Sequence, residues 1–168
     1  MISAKMQKAL NDQVNEEMFS SYLYLSMAAY FEAKNLKGFA NWFRIQSQEE
    51  QAHAMKFFNF ILQKGGKVSL KQIEAPKSDW KTIPEAFSDT LKHEQKITGL
   101  INKLVEVSMA EKDYATHTFL QWFVTEQVEE EANVEDLIQK LEMIGENKSG
   151  LYMIDNELGS RTFTPDAG

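Results

Sequence analysis

The chain has 168 residues, no cysteine and a formal charge of −7. That length suits a single domain with a full core, and the lack of thiols excludes disulfides, thiolate metal sites and iron–sulfur clusters. The acidic balance argues against nucleic acid and for cations as partners.

Hydrophobic residues at 43% and aromatics at 11% belong to a folded chain. No segment nears the ~18 consecutive apolar residues of a membrane span. The opening MISAKMQKALNDQ carries no apolar signal-like run, so a cytoplasmic location without membrane contact is expected.

Apolar residues recur at helical spacing over four segments, about 4–33, 37–64, 83–111 and 114–144, and nothing alternates like a strand. Asn35-Leu36-Lys37-Gly38 separates the first two segments and Lys112-Asp113 the last two, so each pair is expected to form an antiparallel hairpin. Between the hairpins lie the 18 residues GGKVSLKQIEAPKSDWKT. Extended at about 3.3 Å per residue they reach about 60 Å, more than the roughly 42 Å of a 28-residue helix. The loop can therefore run the length of the molecule and set the third helix parallel to the second. The fold class is all-α: a four-helix bundle with one long crossover connection. Past Gly145, Leu151, Ile154 and Leu158 share one face of a short fifth helix at about 150–158, before a polar tail at 159–168. The whole of 1–168 reads as one domain, with the bundle over about 4–144.

The core stripes are informative. The first helix gives Leu10, Val14, Glu17, Ser21, Tyr24, Ala28 and Phe31; the second gives Phe43, Gln46, Glu50, His53, Phe57 and Phe60. The third gives Phe87, Leu91, Glu94, Ile97, Ile101 and Leu104; the fourth gives Leu120, Phe123, Gln127, Glu130, Val134, Leu137 and Leu141. Each stripe is interrupted by polar residues at one level. The interruptions also repeat: Glu17 to Glu94, Glu50 to Gln127 and His53 to Glu130 are each 77 residues apart, as are Glu49 and Glu126. Two related hairpins thus supply matching polar groups to one central site.

A lone Glu-x-x-His is common on solvated helices, and Glu17 or Glu94 alone would be unremarkable. Four carboxylates and an imidazole converging inside an apolar bundle are different, because they repel one another unless cations neutralise them. Oxygen-rich, sulfur-free ligation with a single histidine favours iron or manganese. A Glu from each of two helices plus Glu-x-x-His from the others is the di-iron carboxylate pattern; here the second half has Gln127-x-x-Glu130 instead. Tyr24, on the same face as Glu17, reads as core filler or as a hydrogen-bond and electron donor beside the metals, and the second reading is preferred. Trp122 reads as packing, and His93 and His117 as surface residues.

From Glu17-x6-Tyr24 through QEEQAH, KHEQ, FLQWFVTEQVEEE and GLYMIDNEL, the chain resembles the prokaryotic non-haem ferritins over essentially its whole length. The resemblance implies the ferritin-like bundle and a hollow shell of about 24 subunits. Each subunit would carry a ferroxidase centre that oxidises Fe(II) with O2 or peroxide and passes ferric product to a stored mineral. It implies one iron held by Glu17, Glu50 and His53, and a second by Glu94 and Glu130, with Glu50 bridging and Gln127 close by. A third iron nearby would use Glu49, Glu126 and Glu129, sharing Glu130. The haem-containing bacterioferritins differ: they carry a second Glu-x-x-His where this chain has Gln127-x-x-Glu130, and usually a methionine where it has Gln51. Met55 is out of place for that role, so haem is not expected. The alternative function is a di-iron oxidase or peroxidase that scavenges peroxide without bulk storage.

Assembly is expected from leftover apolar residues. Phe19, Tyr22, Leu23, Leu25 and Tyr30 on the first helix, with Trp42 and Phe58 on the second, lie outside the bundle stripes and suggest a two-fold dimer face. Leu151, Ile154 and Leu158 are expected to find cover at a second symmetry axis.

Overall fold

The helices begin and end where the sequence carries capping chemistry. In the computed structural model, which describes residues 1–165, they are α1 (Ala4–Ala33), α2 (Lys37–Gln63), α3 (Ile83–Ala110), α4 (Tyr114–Ile144) and α5 (Lys148–Leu158). No strand occurs among the described residues, and none of their helices is long and apolar enough to cross a membrane. Residues 166–168 of the expected polar tail lie outside the described residues. Ser3, Thr82, Asp113 and Asn147 each accept a hydrogen bond from the backbone N–H three residues on, satisfying donors that a helix start leaves open. Both hairpin turns pass through a left-handed residue, Asn35 (φ 60°) and Lys112 (φ 55°). The N–H two residues past each helix's C-cap then bonds back into the last turn, Leu36 to the Phe31 carbonyl at 3.0 Å and Asp113 to that of Ser108 at 2.8 Å.

Two apolar clusters fill the bundle. One joins the end of α1 (Leu23 to Phe31), the start of α2 (Phe39 to Phe43), the start of α3 (Ala86, Phe87) and the end of α4 (Val134 to Leu141). The other joins the start of α1 (Met6 to Val14), the end of α2 (Phe57, Ile61), the end of α3 (Ile97 to Leu104) and the start of α4 (Leu120, Phe123). This pairing of ends means that α2 and α3 run parallel, as the long crossover requires. The crossover is strapped along α1. Near one end the buried Asn11 side chain donates to the Lys67 carbonyl and accepts from the Ser69 N–H. At the other, Ser26 donates to the Lys77 carbonyl and buried Trp80 stands edge-on to Tyr30.

α5 corrects one expectation. Ile154 and Leu158 are 6% and 7% exposed in the single chain, with Leu151 packed beside them, so these residues are covered by their own bundle. The docking is polar as well. The N-terminus of α2 follows Leu36, which offers no side-chain cap. Asp155 of α5 supplies it, accepting from the N–H groups of Gly38 (2.9 Å) and Phe39 (3.0 Å). The outward face of α5 instead carries Tyr152 and Met153. A second correction narrows the expected dimer face. Leu23, Tyr30 and Trp42 are buried by their own subunit, Tyr30 under Trp80 and Trp42 under Arg161, which leaves Tyr22 and Leu25, each about half exposed, with Phe19 and Phe58 partly buried.

A β-carbon at position 38 would lie 1.5 Å from the Asp155 carbonyl oxygen, so only glycine allows α5 this close. Asp155→Ala should cost about 1 kcal/mol through the lost cap. Gly38→Ala should cost more, because the backbone of α5 must move. Scanning calorimetry reads both, and a Gly38→Ala protein as stable as the parent would refute this docking.

Candidate metal centre

Between the two apolar clusters lies a polar layer to which every bundle helix contributes. Glu17 comes from α1, Glu50 and His53 from α2, Glu94 from α3, and Gln127 and Glu130 from α4; all are buried. A helix side chain recurs on the same face after three or four residues. Glu50 and His53 therefore share one face, as do Gln127 and Glu130, while Gln51, Val128 and Glu129 turn outward.

The carboxylates and the imidazole converge in three overlapping groups: Glu17, Glu50 and His53; Glu50, Glu94 and Glu130; and His53, Glu126 and Glu130. Within each group one ligand-type atom per residue lies within 4.8 Å of the others. Glu50 belongs to the first two groups and so sits where a bridging carboxylate would. The repeat of 77 residues is thus also a repeat in space, since α1 with α2 builds one side of the layer and α3 with α4 the other.

Hydrogen bonds orient these groups. Gln13 donates to Glu17 at 2.7 Å, Gln46 donates to Glu130 at 2.9 Å, and the Tyr24 hydroxyl donates to Glu94. Gln127 gives its amide N–H to Glu94, at 3.1 Å to the carboxylate and 3.2 Å to the carbonyl, so it holds a ligand-type group in place. His53 Nδ1 lies 3.2 Å from a Glu50 oxygen. Two carboxylate oxygens, Glu17 Oε2 and Glu50 Oε1, are buried and receive no hydrogen bond from a donor group of any other residue; the one bond open to the pair is a proton shared between the two carboxyl groups. An unpartnered buried polar atom is costly, and these two belong to one cation-sized cluster.

Burial dominates the electrostatics. It raises Glu17 above the ordinary carboxylate range, although His53 and the hydrogen bonds from Glu50 and Gln13 pull the other way. Burial, then the charges of Glu94, Glu17 and Glu130, push Glu50 well above that range. Glu94 is raised to about 7 by burial despite the hydrogen bonds from Tyr24 and Gln127, and Glu130 to about 8 by burial and the charge of Glu94. Without a cation the cluster therefore keeps protons at neutral pH.

The scan of known families matches residues 7–144 to the ferritin-like domain. This chain belongs to the ferritin family. Among relatives, the bacterial non-heme ferritin of Staphylococcus aureus (strain MRSA252) is 44% identical over 163 residues, covering 97% of this chain and 98% of its own. That of Bacteroides fragilis (strain 638R) is 43% identical over 161 residues, covering 96% of this chain and 100% of its own. Solved structures agree. An engineered closed form of the Archaeoglobus fulgidus ferritin superposes with a TM-score of 0.97 at 52% identity, covering 98% of this chain and 100% of that one. The open-pore ferritin from the same archaeon gives 0.96 at 52% identity, covering 96% and 100%. This places the chain among the prokaryotic non-haem ferritins, a family that binds iron.

Around the ferritin centre, several residues stand differently from the sequence expectation. His93, expected at the surface, is partly buried; it bonds Ser20 at 2.7 Å and stands edge-on to Tyr24, and desolvation lowers its pKa to about 4. Trp122, expected as packing only, stands edge-on to His53 with rings 5.4 Å apart and carries Lys56 over its face. His117 is partly exposed and pairs with Gln121. Of the residues implied for a third ion, Glu126 joins a group with His53 and Glu130, Glu129 is exposed, and Glu49 is held by Arg161. Gln13 was not singled out in the sequence. Its place one helical turn before Glu17 is the signal that could have found it.

The raised carboxylates fix a sign. Their folded pKa values exceed the ordinary value of 4.5, reaching about 7 for Glu94 and about 8 for Glu130. The iron-free fold thus holds more protons than the unfolded chain, and its stability should fall as pH rises from about 4.5 to 8. Glu130→Gln should flatten that loss and raise the melting temperature of the iron-free protein at pH 8. Calorimetric binding of Zn(II) should release protons at pH 6.5 and fewer at pH 8.5. A Tm independent of pH across this window would contradict the assignment.

Proposed function

We propose that this ferritin stores iron and oxidises it at the buried centre. The observation that carries the reading is the convergence of four carboxylates and one imidazole in one buried layer, where Glu17 and Glu50 have only a shared proton to satisfy oxygens that a cation would bind. Glu17, Glu50 and His53 would hold one ferrous ion and Glu94 and Glu130 a second, with Glu50 shared. The residues bind and space the two ions so that each gives one electron to the same O2 or peroxide. Gln13, Gln46, Gln127 and the Tyr24 hydroxyl fix the carboxylate orientations, and Tyr24 would also lend an electron. Glu126 and Glu130, with Glu49 and Glu129 at the margin, would hold a third ion. Storage needs an enclosed volume. An open-pore ferritin and an engineered closed form among the structural relatives support a shell for this chain, of about 24 subunits.

His53→Ala and Glu50→Ala should each slow the rapid oxidation of added Fe(II) at least about tenfold, followed by absorbance after aerobic mixing. Unchanged rates in both variants would remove the site assignment. Light scattering reads the shell directly: a mass near one, two or twelve subunits would refute it. Iron counted per particle after loading separates storage, with thousands of ions, from a di-iron oxidase holding about two per subunit.

Glu49→Ala and Glu126→Ala should change the iron consumed per O2 while sparing the first rapid oxidation. Loss of that rapid phase would instead put both residues in the primary centre.

A further inference from the structure

Past α5 the chain turns back along α2. The Asn41 amide donates to the carbonyls of Leu158 and Arg161, both at 3.0 Å, which pins the tail to the helix. From that anchor the Arg161 side chain lies over the Trp42 ring, 5.0 Å from its centroid, and gives a 3.4 Å hydrogen bond to the Trp42 carbonyl. Its Nη2 then reaches both oxygens of Glu49, at 3.0 and 2.8 Å. The Arg161 and Glu49 side chains are 24% and 27% exposed, so the pair is partly shielded from water and keeps more of its Coulomb attraction than a surface bridge.

Glu49 is next in sequence to Glu50, and its charge is felt at Glu130, which also belongs to the group with His53 and Glu126. A divalent cation on Glu49 would have to share its two oxygens with the guanidinium, and the two positive charges would repel each other across one carboxylate. We propose that Arg161 is a tethered cation that competes with the third metal ion for Glu49, so that ion binding at the margin of the centre and release of the C-terminal tail from α2 are linked. This rests on the reading that Glu49, Glu126 and Glu130 hold a third ion. The linkage is reciprocal: whatever holds the tail on α2 weakens the third ion, and the third ion loosens the tail. Arg161 bonds Glu49 and the Trp42 carbonyl and none of Glu17, Glu50, His53 or Glu94, so the contest reaches the two-iron centre only through Glu130, which the two sites would share. Arg161 is in this sense a positioning residue that acts directly on one site.

Titration calorimetry of the iron-free protein with Zn(II), a redox-inert divalent ion, tests the proposal. Arg161→Gln removes the charge and keeps a hydrogen-bond donor. It should tighten the weakest ion of the centre about tenfold and leave the two tighter ones unchanged. Arg161→Lys, which keeps the charge, should stay near the parent, and adding Glu49→Gln to Arg161→Gln should abolish the gain. If Glu49→Gln loses the weakest ion but Arg161→Gln does not tighten it, the competition is refuted and the third site stands. If Arg161→Gln shifts all three ions alike, Arg161 acts only through the structure and the competition is likewise refuted. If Glu49→Gln alters no binding step, Glu49 is not a ligand, and the third-site reading falls together with the competition.

Discussion

Four carboxylates confined to one dry layer are the constraint on which the rest of this molecule turns. Each has lost its water, and each pushes the others toward protonation, so that Glu94 rises to about 7 and Glu130 to about 8. The hydrogen bonds to them come from the amides of Gln13, Gln46 and Gln127 and from the Tyr24 phenol. These neutral donors orient the oxygens without cancelling their charge. A centre built this way holds protons at neutral pH, and a cation would displace them.

The fold can carry such a layer because it is closed on both sides. Phe31, Phe39, Phe43 and Phe87 stack and tilt against one another at one end, and Phe57, Phe119 and Phe123 at the other. Apolar packing of that kind supplies the favourable free energy that offsets the strained centre. It also keeps the helices from sliding, and sliding would open the carboxylates to water. The crossover strap along α1 has the same effect, since Asn11 and Trp80 fix both of its ends to the helix that carries Glu17 and Tyr24.

Control at the edge of the centre has a different character. The ligand-type groups in the middle are held by neighbours within the bundle, whereas Glu49 is held by a residue from the far end of the chain. The same terminal segment caps α2 through Asp155 and packs Ile154 and Leu158 onto the bundle. The terminal segment thus meets α2 along one short stretch, from Gly38 to Glu49, next to the margin of the centre.

Periodicity alone determined the four long helices, the parallel pairing of α2 and α3, and the level at which Glu17, Glu50, His53, Glu94, Gln127 and Glu130 meet. Helical repeat and a loop long enough to cross the bundle are local properties, and the offset of 77 residues made the convergence visible. The tertiary structure decided what those rules cannot reach. Arg161 finds Glu49 across 112 residues, and Asp155 caps α2 across 117. His93 turns partly inward because α1 presents Ser20 and Tyr24 to it. Leu151, Ile154 and Leu158 were legible as an apolar face, but not which surface would cover them. An apolar side chain states in sequence that it will be buried, through the water it must lose. Its partner is set by the three-dimensional path of the rest of the chain.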